Sequence, residues 1–276
     1  KQAHNYYPTH LWENDQVAPL DNTYFLVHNQ IEKESNQAAF DQFKGTDFAP
    51  DRMIEKALHF LDTTATDKPF FLYYPSPIPH VSLQIPDSLL LQYQGQFEEQ
   101  PYYGNKGYSA HQYPLSAYAA MITHLDSEVG KIWEAVKARG QEENTLILFS
   151  SDNGPTFAGG VDPEYFNSAG GFRGLKMDVY EGGIRVPMFI AGAGVHSAHP
   201  IYTGLTHVTD IAPTLLDMAG ITRPADLYKG QPIETMAGHS LRATLQGDHQ
   251  PHQHHQTGET VVGNRFYHLL PLGRAG

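Results

Sequence analysis

The sequence has 276 residues, 40% of them hydrophobic, enough to bury the core of one large α/β domain or of one domain with part of another. Its 18 basic and 30 acidic side chains give a formal charge of -12, and the cations are scattered, which excludes a phosphate-backbone footprint and nucleic acid as a partner. The absence of cysteine excludes disulfides, thiolate zinc sites and a cysteine nucleophile within these residues, and no apolar stretch approaches the roughly 20 residues of a membrane span.

The chain opens at Lys1 without methionine or a signal-like segment, and reads as a mature form or a fragment. Residues 1–50 are polar, rich in Asn, Gln, Pro and aromatics, and read as long loops with one short strand near 24–28. Met53, Ile54, Ala57, Leu58 and Leu61 then recur at helical spacing, predicting a helix over 51–61, and a strand is expected at 70–74 after the Lys68-Pro69 break. Tyr118, Met121, Ile122, Leu125, Val129, Ile132, Trp133 and Val136 keep the i, i+3, i+4, i+7 ladder of a helix over 115–139 that Gly140 closes. Strands are expected at 145–150 and 186–191, and an amphipathic helix at 210–218 with Asp210 as its cap and Pro213 in its first turn. Helix and strand alternate, so the predicted fold is α/β, a mostly parallel sheet flanked by helices. Beyond Gly220 the pattern decays into a His/Gln-rich run at 247–259, whose histidines at 249, 252, 254 and 255 read first as low complexity and second as transition-metal donors.

Three clusters could carry chemistry. The strand "TLILFS" ends in Asp152-Asn153-Gly154-Pro155. Ligands of open α/β sheets collect beyond the carboxyl ends of strands, and a carboxylate beside a carboxamide suits a hard cation, but the same tetrapeptide is also a good turn. In "KPFFLYYPSPIPHVSL", 68–83, three prolines stiffen the loop that ends at His80. They restrict the orientation of a histidine that could donate to an anion or protonate a leaving group, or simply be structural. In "GGFRGLKMDVYEGGIRVPMFI", 170–190, glycines flank Arg173 and Lys176 and precede Arg185. Glycines admit close backbone approach to a ligand or a positive φ, and the cations could bind an anion. Glu181 and Arg185 are equally well read as a structural ion pair, and Lys176 as a solvated surface residue. His124 and Asp126 on the long helix read as satisfied or surface side chains.

In this order, "YYPTHLWE", "PIPH", "YAAMITHLDSEVGKIWEAV", "SSDNGP", "RGLKMDVYEGGIRVP" and "TDIAPTLLDMAG" resemble the landmarks of the sulfatase family, the arylsulfatase branch of the alkaline-phosphatase superfamily. The resemblance implies an alkaline-phosphatase-like α/β fold, here incomplete. Residues 1–222 would be the middle and C-terminal part of the catalytic domain, and 223–276 the truncated start of a C-terminal region. It implies that Asp152 and Asn153 are ligands of one Ca2+ ion, with Mg2+ the weaker fit. It also implies that His80 and Lys176 contact the sulfate ester, His80 assisting the leaving oxygen and Lys176 neutralising sulfate charge.

The implied activity is hydrolysis of a sulfated carbohydrate or aryl sulfate by a formylglycine nucleophile, in a periplasmic or secreted protein. That nucleophile forms in a Cys/Ser-x-Pro-x-Arg motif, and no such motif occurs in the sequence. The chain therefore reads as a fragment without turnover of its own. A phosphohydrolase or phosphotransferase of the same superfamily and a non-catalytic sulfate-binding protein are the alternatives.

Overall fold

The computed structural model describes residues 4–196, 201–222 and 227–247. The chain divides into two compact units, one of Lys1–Gln141 with Thr156–Phe166, the other of Glu142–Pro155 with Asn167–Gly276. Among the described residues no helix is long and apolar enough to cross a membrane. The histidines at 249, 252, 254 and 255 lie outside the described residues.

The first unit opens with a hairpin, β1 (His10–Glu13) and β2 (Gln16–Pro19), in antiparallel register from His10 opposite Pro19 to Glu13 opposite Gln16. Its two-residue turn places Asn14 at φ 57°, a conformation that asparagine tolerates better than most residues. Residues 1–50 are therefore not all loop, and the strand expected at 24–28 is absent. Four-residue strands are too short to show a period in the sequence.

Helix α1 (Gln37–Asp41) precedes α2 (Ala49–Thr63), which has Pro50 and Asp51 in its first turn and buries Ile54, Ala57 and Leu61. A short α3 (Asp87–Leu90) leads to the long α4 (Pro114–Ala138). Arg139, one residue past α4, donates through its guanidinium to the carbonyls of Leu61 and Thr64, satisfying the open C-terminus of α2. The core of this unit holds Tyr6, Val81 and Leu83 together with Phe48 from the entrance of α2 and Ala117 and Met121 from α4.

The stripe that α4 buries is turned from the apolar ladder. Ala117, Ala120, Met121, His124 and Glu128 are buried, whereas Ile122 is 42% exposed. The segment 70–74, expected as a strand, makes no ladder among the described residues. Its residues do alternate as a strand's would, with Phe71 and Tyr73 outward, and side-chain bonds rather than a neighbouring strand hold it.

In the second unit β3 (Leu146–Ser150) pairs antiparallel with β4 (Met188–Gly192), Leu146 opposite Gly192 and Ser150 opposite Met188. Between them lies the single turn α5 (Glu181–Ile184). After β4 come α6 (Ile211–Met218), a two-residue pair β5 (Leu227–Tyr228) and β6 (Gln231–Pro232), and α7 (Arg242–Leu245). Val186, Met188, Ile190, Leu241 and Leu245 form the core. Helices and strands alternate as an α/β chain requires, and every described ladder is antiparallel, so the parallel part of the expected sheet has no representative among the described residues.

Asp210 does not cap α6 with its side chain. It is buried, and its carboxylate accepts from the backbone N–H groups of His207 and His239, each at 2.8 Å. It thus joins the entrance of α6 to the segment leading into α7. Asp210→Ala should orphan both donors and cost about 2–4 kcal/mol in urea unfolding followed by circular dichroism. A loss nearer the ~1 kcal/mol of a simple cap would contradict this joining role.

Candidate functional site

At the end of β3 the chain turns directly into Ser151-Asp152-Asn153-Gly154-Pro155. The turn that this tetrapeptide favours is present, and it is docked by its backbone. Gly154 N–H donates to Gly183 O, Lys176 N–H to Pro155 O and Gly182 N–H to Arg173 O, each at 2.8 Å. No side chain fits these junctions. A Cβ would stand 2.0 Å from Gly182 O if placed on Gly154, 1.9 Å from Gly174 O on Gly182, and 2.1 Å from Asp178 O on Gly183. These three glycines therefore serve contact between segments of the chain itself, not approach to a ligand. As a result Asp152, Asn153 and Lys176 sit on adjoining segments of one backbone-bonded knot.

Asn153 donates its amide nitrogen to Gly154 O at 2.8 Å, which leaves Oδ1 as the atom for an outside partner. Asp152 is exposed and has no hydrogen-bond or ion-pair partner among the described residues. The pair therefore offers one carboxylate and one carboxamide oxygen, a donor set for a hard cation. Among the described residues no group of three His, Cys, Asp or Glu side chains is placed to hold a metal.

The three cations of this segment have different fates. Arg173 lies 3.8 Å over the ring of Tyr180. Arg185 is buried, 3.1 Å from Glu181 Oε2 and 4.2 Å over the ring of Phe172, so the structural ion pair foreseen for Glu181 and Arg185 exists. Lys176 is half-buried, with no carboxylate partner among the described residues. Its turn is pinned by Leu175 N–H donating to Asp178 Oδ2 and Asp178 N–H to Leu175 O, each at 2.9 Å. Next to it Met177 is held at φ 81° and 87% exposed. A left-handed non-glycine residue costs on the order of 1–3 kcal/mol and persists only where its surroundings impose it.

His80 lies in the first unit. Its Nδ1 makes a short hydrogen bond to Val81 O. A carbonyl only accepts, so Nδ1 carries the proton and Nε2 is the nitrogen that can take or give one. Tyr6 OH shares its one proton between Pro77 O, at 2.8 Å, and His80 O, at 2.7 Å. Burial, with the Glu128 charge second, pushes this phenol far above its ordinary range, which keeps it a donor. Beneath the loop, fully buried Glu128 accepts from Tyr74 OH and Ser76 Oγ, each at 3.0 Å. His124 Nε2 stands 3.6 Å from Glu128 and 3.3 Å from Asp51. The loop that carries His80 is thus fixed by a buried acid and a buried phenol as well as by its prolines.

Asp126 lies at the surface as foreseen, whereas His124 is neither exposed nor satisfied: it is buried near carboxylates, and its Nε2 has no hydrogen-bond partner among the described residues. Sequence reasoning passed over Glu128, Tyr6 and the packing role of Gly154, Gly182 and Gly183. One signal for Glu128 was available: it continues the i, i+3, i+7 ladder of Met121 and His124, marking a polar residue on a buried face.

The family model described as Sulfatase matches residues 2–221. An uncharacterized sulfatase, YdeN of Escherichia coli K12, is 34% identical over 65% of this chain and 29% of its own length. Human N-acetylgalactosamine-6-sulfatase is 27% identical over 72% of this chain and 37% of its own. The chain thus spans about a third of the length of these relatives. Among solved structures, that of Ps i-CgsB is 26% identical, with a TM-score of 0.53 over 75% of this chain and 41% of that one.

Burial raises Glu128 above its ordinary value, against hydrogen bonds from Ser76 and Tyr74 that pull the other way. The folded chain then keeps a proton that the unfolded chain releases, so this group's contribution to stability is full below the ordinary value and is lost as pH rises through the raised one. Glu128→Gln should flatten that slope in urea unfolding measured from acid toward neutral pH. Glu128→Ala should cost about 3 kcal/mol by orphaning two hydroxyl donors and opening a cavity. A slope unchanged in Glu128→Gln would assign the titration to another group.

Proposed function

The chain belongs to the sulfatase family, and from that premise we propose that it supplies the calcium- and sulfate-contacting half of a sulfuric ester hydrolase that acts on a sulfated carbohydrate. The observation that carries this reading is the glycine-packed knot, which holds on adjoining segments a carboxylate and an ammonium that have no ion-pair partner among the described residues, and a carboxamide with its nitrogen already committed. A turn that was only a turn would not require three glycines to seat it against the lysine's segment.

In this reading Asp152 and Asn153 bind one Ca2+ ion, whose loose oxygen geometry suits a carboxylate-carboxamide pair better than the strict octahedron of Mg2+. Calcium, when bound, polarises the sulfate and holds the nucleophile in place. Lys176 lays its ammonium against the sulfate oxygens, and a donor aimed at such an oxyanion is worth on the order of 10² to 10³ in rate. His80, with Nδ1–H committed to Val81 O, passes a proton from Nε2 to the leaving oxygen as imidazolium.

The nucleophile is a formylglycine hydrate that these residues do not include, since the sequence holds neither cysteine nor a Ser-x-Pro-x-Arg. An Asp-Asn pair beside a lysine favours a sulfate ester over the phosphate ester of a two-metal phosphohydrolase. A periplasmic or secreted location fits the same reading.

Calorimetric titration tests the assignment. Calcium should bind with a dissociation constant of about 10⁻⁴ to 10⁻³ M, as for sites with few charged ligands, and Asp152→Ala should abolish binding. The chain should release no nitrophenol from nitrophenyl sulfate. Calcium binding that survives Asp152→Ala would overturn the site, and sulfate release above background would overturn the missing-nucleophile account.

A further inference from the structure

Three imidazoles and a phenol from four distant segments meet in the first unit. The rings of His4 and His80 stack with centroids 4.9 Å apart and planes 10° from parallel. His28 stands edge-on to His4 at 5.5 Å. Tyr108 touches all three, at 5.2 Å from His4, 5.2 Å from His28 and 5.9 Å from His80.

Two buried serines assemble the cluster. Ser82 Oγ donates to His4 O at 3.4 Å and accepts from Ser109 N–H at 3.0 Å, while Ser109 Oγ donates to Val27 O at 3.0 Å. The backbones beside His4, His28, His80 and Tyr108 are thereby cross-linked below the rings. Tyr108 is held at φ 68°, its N–H donating to His28 Nδ1 at 3.2 Å. A left-handed backbone at a bulky aromatic residue is an outlier of the kind that gathers at ligand sites. Because Nδ1 of His28 accepts this bond, its Nε2 carries the proton and can donate. His4 and His28 are exposed, so the outer rings are open to solvent.

Imidazole and phenol donors suit an oxyanion, and aromatic faces suit the C–H face of a sugar ring. We propose that His4, His28 and Tyr108 form, beside His80, a subsite for a second sulfate group on the same carbohydrate, so that the substrate class is a multiply sulfated glycan. The proposal rests on the reading of His80 as a contact to the scissile sulfate ester.

The test is calorimetry on the whole chain with calcium present, at slightly acidic pH, using a monosulfated monosaccharide and a disulfated disaccharide as probes. The disulfated probe should bind about 10-fold more tightly, as one added charge-assisted contact implies. His28→Ala should remove that advantage and leave the monosulfated probe unaffected, while His28→Gln, which keeps an N–H donor, should retain part of it. His80→Ala should weaken both probes. Equal affinity for the two probes, or His28→Ala weakening both alike, overturns the second subsite while leaving the sulfate-ester reading intact. Failure of both probes to bind overturns the two together.

Discussion

The site in the second unit depends on one constraint, the approach of three stretches of backbone to distances that a side chain would forbid. Gly154 lies against Gly182, Gly182 against Gly174, and Gly183 against Asp178, each closer than any Cβ allows. Sheet pairing alone would deliver Asp152 to the end of β3 and leave its partner loop unplaced. Backbone hydrogen bonds from Gly154 to Gly183 and from Lys176 to Pro155 turn two loops into one object. The hard oxygen donors and the Lys176 ammonium share it because the glycines between them have no side chains to hold the loops apart. The strained φ of Met177 is tolerated in the same place for the same reason, since the flanking bonds leave the turn no alternative.

The first unit fixes its histidine by a different means. There the loop is proline-rich and has few backbone bonds of its own, Ser76 N–H to Tyr74 O and His80 N–H to Pro77 O, and buried polar side chains reach it from the core. Tyr6 holds two of its carbonyls, and Glu128 holds Tyr74 and Ser76 from beneath. A buried carboxylate is costly unless it is hydrogen-bonded, and satisfying Glu128 gives the loop a defined position. Ser82 and Ser109 do the same for the ring cluster, joining four segments through single hydroxyl groups.

How much of this was legible in the sequence follows from the range of the forces. The apolar ladder located α4 to within one residue at each end, because helical period is a local property. The strands β3 and β4 were found nearly in place for the same reason. The buried face of α4 was misread where polar Glu128 took a core position that its neighbours' pattern assigned to apolar residues. The segment 70–74 has a strand's alternation but no ladder, and pairing is a tertiary fact that alternation cannot supply. Asp210 was read as a cap, since its second partner, His239, lies far along the chain. The residues Asp152, Asn153, Lys176 and His80 were singled out by strand ends and glycine placement, and their roles by family resemblance. His4, His28 and Tyr108 carried no signal, because nothing local joins four segments so far apart.

The central claim is that the glycine knot makes Asp152 and Lys176 one site rather than two neighbouring surface residues. A double-mutant cycle on sulfate affinity in the presence of calcium, with Asp152→Ala, Lys176→Ala and the pair, measures that most directly. The account predicts a coupling of about 1 kcal/mol or more, since loss of the calcium-binding carboxylate removes the anion that the ammonium would help to hold. Strict additivity of the two substitutions would contradict it.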